Sequence, residues 1–170
     1  VRSLEIGVCH LHMAKFDDMA NEEMLAYIAT SPDDRIYAIA QLMWLGVDHS
    51  RICNITGIDM FFLDKIKNIV DYERVLEENP NNVEILKTAK KMGFSDKYIA
   101  RMWKKTEADV FALRKANDIF PIFKMVDTCH TNAYIPYFYS SYTGENKSVL
   151  TDRKKIVVLG AGPIRIGQGV

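Results

Sequence analysis

Cysteine is scarce in this chain, and an excess of either charge is missing altogether. The three cysteines, Cys9, Cys53 and Cys129, are far apart and form no CxxC pair. That excludes a disulfide framework and suits a reducing, cytoplasmic compartment. Lys plus Arg equals Asp plus Glu, at 22 each, so the net charge is zero. A nucleic-acid binder would show a basic excess or stripe, and none is present. Neutrality also removes the repulsion that keeps molecules apart, so self-association is allowed. No run approaches about 20 apolar residues, so no membrane span is expected. The opening "VRSLEIGVCHLHMAK" lacks the apolar stretch of a signal peptide.

What is present is helical periodicity with clear punctuation. A chain of 170 residues can bury a core of its own. Residues 1–32 look loosely organised; "NEEMLAYIATS" can hold a short helix, with Asn21 as cap and Ser31 and Pro32 as stop. In "DDRIYAIAQLMWLG", Ile36, Ile39, Ala40, Met43 and Trp44 form one stripe, ended by Gly46. Asp48 caps a short helix closed by Gly57, and Asp59 caps a long one. The long helix has an apolar face of Phe62, Leu63, Ile66, Ile69, Val70 and Leu76, with Lys65, Lys67, Asp71, Glu73 and Glu77 on the remainder. "NPNN" is a turn, and Asn81 with Glu84 resembles a capping box for a helix ended by Gly93. Ser95 and Thr106 cap two more helices, with Glu107 and Asp109 placed where the dipole favours acids. "LGVDHSRICNITGID" and "MGFSDKYIARMWKKTEAD" echo one another, which reads as reused helix punctuation rather than a solenoid.

After Asn117 the texture changes. "DIFPIFKMVDTCHTNAYIPYFYSSY" is rich in aromatic and β-branched residues and reads as extended chain. Tyr134, Tyr137, Phe138, Tyr139 and Tyr142 are expected to be buried against something. "TGENKSVLTDR" is a polar linker, and "KIVVLG" reads as a central parallel strand.

Few motifs carry chemistry. At the C-terminus Gly160 and Gly162 begin a GxGxxG pattern, but Arg165 takes the third place and glycines return at Gly167 and Gly169. That departs from the dinucleotide fingerprint, and a tight strand-to-loop turn is the simpler reading. Cys9, His10 and His12 are metal donors, with His49 and Cys53 as conceivable partners, but the spacing does not fit a structural zinc site, so no metal is expected. Cys129 and His130 are adjacent in an extended chain, which points them to opposite faces rather than together. Asp17 with Asp18, Asp33 with Asp34, and Glu77 with Glu78 fit caps and solvated faces. No catalytic residue is proposed. One alternative stays open: "DHSRICNITGIDMFFLDKIKNI" has the outline of a helix-turn-helix nucleic-acid-binding module.

Three stretches together resemble one family. "DRIYAIAQLMWLGVDHSRICNITGIDMFFLDKI" is similar to the central helical region of the carbamoyl-phosphate synthetase large chain. "VDTCHTNAYIPYFYSSY" resembles the crossing segment after it, and "KKIVVLGAGPIRIGQGV" the start of that enzyme's second synthetic half. The resemblance implies a piece of a longer chain: residues 1–7 ending an ATP-grasp unit, 8–147 a helical oligomerisation or connector domain, and 148–170 a linker opening the carbamoyl-phosphate synthetic half. It implies a whole enzyme that makes carbamoyl phosphate from bicarbonate, ATP and glutamine-derived ammonia, for pyrimidine and arginine biosynthesis. ATP with Mg or Mn, and K, belong to that enzyme and not to this stretch. The partners implied are the flanking ATP-grasp halves, a glutaminase small subunit or domain, and other large chains. One side-chain role carries over: Arg165 would line the internal carbamate tunnel, where a guanidinium fork suits a small planar anion.

The expectation is therefore a mainly α, compact multi-helix domain of six or seven helices, with an extended aromatic C-terminal segment and one orphan β-strand. The isolated 170-residue stretch is expected to have no enzymatic activity of its own.

Overall fold

Helix boundaries follow the punctuation. The computed structural model describes residues 8, 10–126 and 137–158. A 3-10 turn at Ala14–Phe16 precedes seven helices: α1 (Asn21–Ala29), α2 (Arg35–Trp44), α3 (His49–Thr56), α4 (Met60–Glu78), α5 (Val83–Met92), α6 (Asp96–Met102) and α7 (Glu107–Ala116). Asp48 accepts a hydrogen bond from the Ser50 amide at 3.1 Å, and Asp59 from the Phe61 amide at 2.8 Å. Thr106 and Asp109 close a full capping box at the start of α7. Two expected caps shift by one residue. Asn21 is the first residue of α1, preceded by Ala20, which offers no side-chain cap. Asn82, not Asn81, accepts the amides of Glu84 and Ile85. Asn81 instead takes φ +65°, a left-handed turn that asparagine tolerates better than most side chains.

Gly93 ends α5 at φ +94°, and a Cβ there would meet nothing within 4 Å. The need for glycine is thus purely conformational. Gly93→Ala should lower the unfolding free energy by about 1–2 kcal/mol, the left-handed penalty of an L-residue, read from the urea midpoint.

The helices enclose two cores that share α4. The first gathers Phe16, Met24, Ile28, Tyr37, Ile39, Leu42, Ile52, Leu63 and Val70 from the 3-10 turn and α1 to α4. The second gathers Leu76, Leu86, Phe94, Ile99, Trp103 and Val110 from the end of α4 and from α5 to α7. Ile69 packs against both. Because α2 lies between α1 and α4, it buries more than its expected stripe: Tyr37, Ala38 and Leu42 are buried too, while Ile36 and Trp44 are half-buried.

Two assignments on α4 reverse. Phe62 is 60% exposed, and Glu73 is buried. The period explains both: Glu73 lies three residues from Val70 and three from Leu76, on the core stripe, whereas Phe62 sits about 100° round from Leu63.

The tail pairs with itself. Strands β1 (Ile122–Met125) and β2 (Phe138–Ser141) are antiparallel, with Ile122 opposite Ser141 and Met125 opposite Phe138. Burial of the tail aromatics is only partial. Tyr142 packs on the second core and Phe138 is half-buried, but Tyr137 and Tyr139 are exposed. Antiparallel pairing satisfies the backbone of a two-stranded ribbon while leaving side chains in water. Tyr134 lies outside the described residues.

The expected orphan strand is not formed where it is described. Residues 155–158 carry no strand, and Ile156 is 92% exposed. A strand exists only with a neighbour to take its N–H and C=O groups, and no neighbour is paired with these residues. Positions 159 and 160 lie outside the described residues.

Candidate functional site

Two features stand out: a buried ionic clamp that locks the second core, and exposed phenylalanines on α4, α7 and the tail. The clamp starts from helix ends. Asp96 is in the first turn of α6, and Lys90 and Arg114 are in the last turns of α5 and α7, each matching its helix dipole. Lys90 Nζ donates to Asp96 Oδ1 at 2.7 Å, and Arg114 Nη2 to Asp96 Oδ2 at 2.6 Å. Lys90 also donates to the Phe94 carbonyl at 2.7 Å, and Arg114 Nη1 to the Ile119 carbonyl at 2.9 Å. The Tyr142 ring covers both cations, 5.0 Å from Lys90 Nζ and 5.8 Å from Arg114 Cζ. Three helices thus meet on one carboxylate, and the start of the tail and the residue after β2 are held against its two cations. Trp103 adds a second buried tie, donating Nε1–H to the Leu76 carbonyl of α4 at 2.8 Å.

Burial alone would push the Asp96 carboxyl up, but the hydrogen bonds from Arg114 and Lys90 outweigh it and hold the group below the usual carboxylate range. Since the folded-state pKa lies below the unfolded value, the stabilisation is complete above the ordinary Asp pKa of about 3.9 and is lost as pH falls through the folded-state value. Denaturant midpoints measured from about pH 6 down to about pH 3 should fall, and the fall should be shallower in Asp96→Asn.

A second polar centre joins the two cores. The chain bends at His10 and Leu11, which brings His10 and His12 to the wall of one pocket while Leu11 enters the first core. The His10 ring stacks on Tyr98 at 3.6 Å and 13°, and its Nδ1 lies 2.8 Å from Glu73 Oε1, in ion-pair contact without hydrogen-bond alignment. Burial first, then the charge of Glu73 and a hydrogen bond to it, pushes the Tyr98 phenol far up. His12 bonds Asp17 through Nε2 at 2.8 Å and meets Arg101 through Nδ1 at 2.9 Å. A cleft of about 300 Å³ opens here, between Trp44, Glu77 and Arg101. Among the described residues no group of three His, Cys, Asp or Glu is placed to hold a metal. His49 instead lies near Asp48 and Asp64, at 3.6 Å and 3.5 Å.

The exposed apolar groups cluster by element. Phe61 and Phe62, 59% and 60% exposed, form an edge-to-face pair at the start of α4, with Lys65 Nζ 5.0 Å over the Phe61 ring. Phe111, Phe120 and Phe123 are exposed on α7 and the tail. α3 and α4 do have a helix-turn-helix outline, but the end that would enter a groove presents Asp59, Phe61, Phe62 and Asp64. Acids and bare rings neither neutralise phosphate nor read base edges, and nothing in the fold supports the nucleic-acid alternative.

The residues singled out at the C-terminus, Gly160, Gly162, Arg165, Gly167 and Gly169, lie outside the described residues. The helical portion is what the comparison with protein families recognises. The family model described as carbamoyl-phosphate synthetase large chain, oligomerisation domain, matches residues 1–118. The chain belongs to that family. The matched span ends just after α7, so it takes in all seven described helices of this carbamoyl-phosphate synthetase oligomerisation domain and the three charged residues of its clamp, Lys90, Asp96 and Arg114, while Ile119 and Tyr142 lie beyond it. No described helix of the domain is long and apolar enough to cross a membrane.

Sequence reasoning missed the clamp and the His10–Glu73–Tyr98 centre. Residues 90, 96 and 114 carry no local spacing that pairs them. Glu73 did leave a signal, an acid on the core period of α4, which a strict count of the stripe would have found.

Proposed function

We propose that this domain is a rigid connector and association module, with no catalytic role of its own. It would hold the two ATP-using halves of the synthetase large chain at fixed separation while its exposed phenylalanines meet other large chains. The observation that carries this reading is α4: 19 residues, about 28 Å of helix, built into both cores at once. A helix shared by two cores cannot hinge between them without opening one. Fixed geometry suits an enzyme whose labile intermediate must pass between sites without meeting water.

On this reading, residues 1–7 and 148–170 belong to the flanking halves, 8–147 to the connector, and Arg165 to the wall of a carbamate tunnel. ATP with Mg or Mn, and K, would bind in those halves, and a glutaminase small subunit or domain would supply ammonia, in the cytoplasm. The test uses the full-length large chain carrying Asp96→Asn, which loosens the connector by removing the clamp's only anion. ATP hydrolysed per carbamoyl phosphate formed should rise. A ratio equal to the wild type's, with the clamp broken, would sink the connector role.

Association is tested separately. Phe61→Ser with Phe62→Ser should leave the denaturation midpoint nearly unchanged, since both rings are exposed. Sedimentation velocity should show weaker self-association. An unchanged distribution of species would remove this face from the interface.

A further inference from the structure

We propose that the pocket between the bend at His10–His12 and helix α6 binds a small oxyanion, a carboxylate or phosphate group. Its walls are His10, His12, Lys97, Tyr98 and Arg101, around a volume of about 150 Å³. Each of these side chains brings an N–H or O–H group, and none is a carboxylate. Local geometry converges them. Lys97 and Arg101 are four residues apart and therefore neighbours on one face of α6, with Tyr98 beside them. The bend at His10 and Leu11 brings both His10 and His12 to the pocket wall.

Charge distinguishes this pocket from the clamp. The chain as a whole is neutral, and its buried cations, Lys90 and Arg114, close on Asp96, whereas Lys97 and Arg101 are exposed at the pocket. Lys97 and Arg101 have no carboxylate in ion-pair contact among the described residues. The nearest acids approach the histidines instead: Glu73 lies 2.8 Å from His10 Nδ1 and Asp17 2.8 Å from His12 Nε2. Arg101 sets Nη1 2.9 Å from His12 Nδ1 and Nη2 3.2 Å from His12 Nε2, which fixes its guanidinium at the pocket rim and leaves its remaining N–H groups for a ligand. The remaining guanidinium N–H groups and an ammonium, beside a stacked imidazole and phenol, are charged donors of the kind that carboxylate and phosphate oxygens accept. The volume equals about five waters of liquid, enough for either group. None of this depends on the connector role.

The experiment titrates the 170-residue chain with inorganic phosphate and, separately, acetate, following the imidazole resonances of His10 and His12 by NMR. Sodium chloride at matched ionic strength is the control. Saturable shifts of both rings are expected with at least one oxyanion and not with chloride. Saturation by phosphate alone assigns a tetrahedral phosphate group, and saturation by acetate assigns a carboxylate. Lys97→Ala should weaken binding about tenfold, the loss of one charge-assisted hydrogen bond, without moving the denaturation midpoint, because Lys97 is exposed. Arg101→Gln should weaken it further. No saturation, shifts equal to those with chloride, or unchanged affinity in Lys97→Ala would each overturn the assignment.

Discussion

Asp96→Ala should lower the unfolding free energy by about 3–5 kcal/mol, the range for removing one partner of a buried charge cluster. The carboxylate is only 11% exposed and receives hydrogen bonds from Lys90 and Arg114, which are themselves 7% and 8% exposed. Alanine would leave two cations facing one another with no anion between them. Each would keep only its carbonyl, Phe94 for Lys90 and Ile119 for Arg114. Asp96→Asn retains the shape and an acceptor oxygen but not the charge, so it should cost less. Natural domains hold about 5–15 kcal/mol in all, so alanine here removes a large share. Urea unfolding of both variants at neutral pH gives the comparison. A loss below about 1 kcal/mol for alanine would mean that the cluster is as well screened as a surface pair.

Leu76→Ala should cost about 2–5 kcal/mol, as large-to-small changes at fully buried sites do. Leu76 is 0% exposed and is the residue through which α4 enters the second core. Its carbonyl also accepts the Trp103 indole at 2.8 Å, so the backbone there is held in place and the cavity cannot easily collapse. Phe62→Ala, fourteen positions earlier on the same helix, removes a larger side chain but an exposed one, and should stay within about 0.5 kcal/mol. The contrast between the two midpoints separates burial from hydrophobicity. Equal losses would contradict the orientation of α4.

The helical frame was legible because its signals are local. Asp48, Asp59, Ser95 and Thr106 cap the helices they precede, and Gly57 and Gly93 take the left-handed conformation that ends them. Such signals act over one turn, and the chain carries them in order. The tail was half legible: its aromatic and β-branched composition marked extended chain, but not that it would pair with itself and leave Tyr137 and Tyr139 in water. The candidate sites were not legible. Lys90, Asp96 and Arg114 read as ordinary helix-end charges, and His10 and His12 read as stray metal donors.

What the sequence determined by itself was the helix count, the caps, the long α4 and the family, since each rests on residues within a few positions of one another. The tertiary structure alone decided which charges are buried, that Glu73 and not Phe62 faces inward, and that α4 belongs to two cores. Those outcomes depend on which helix ends meet. Charges 18 residues apart, such as Asp96 and Arg114, become neighbours only when α6 and α7 fold back on each other.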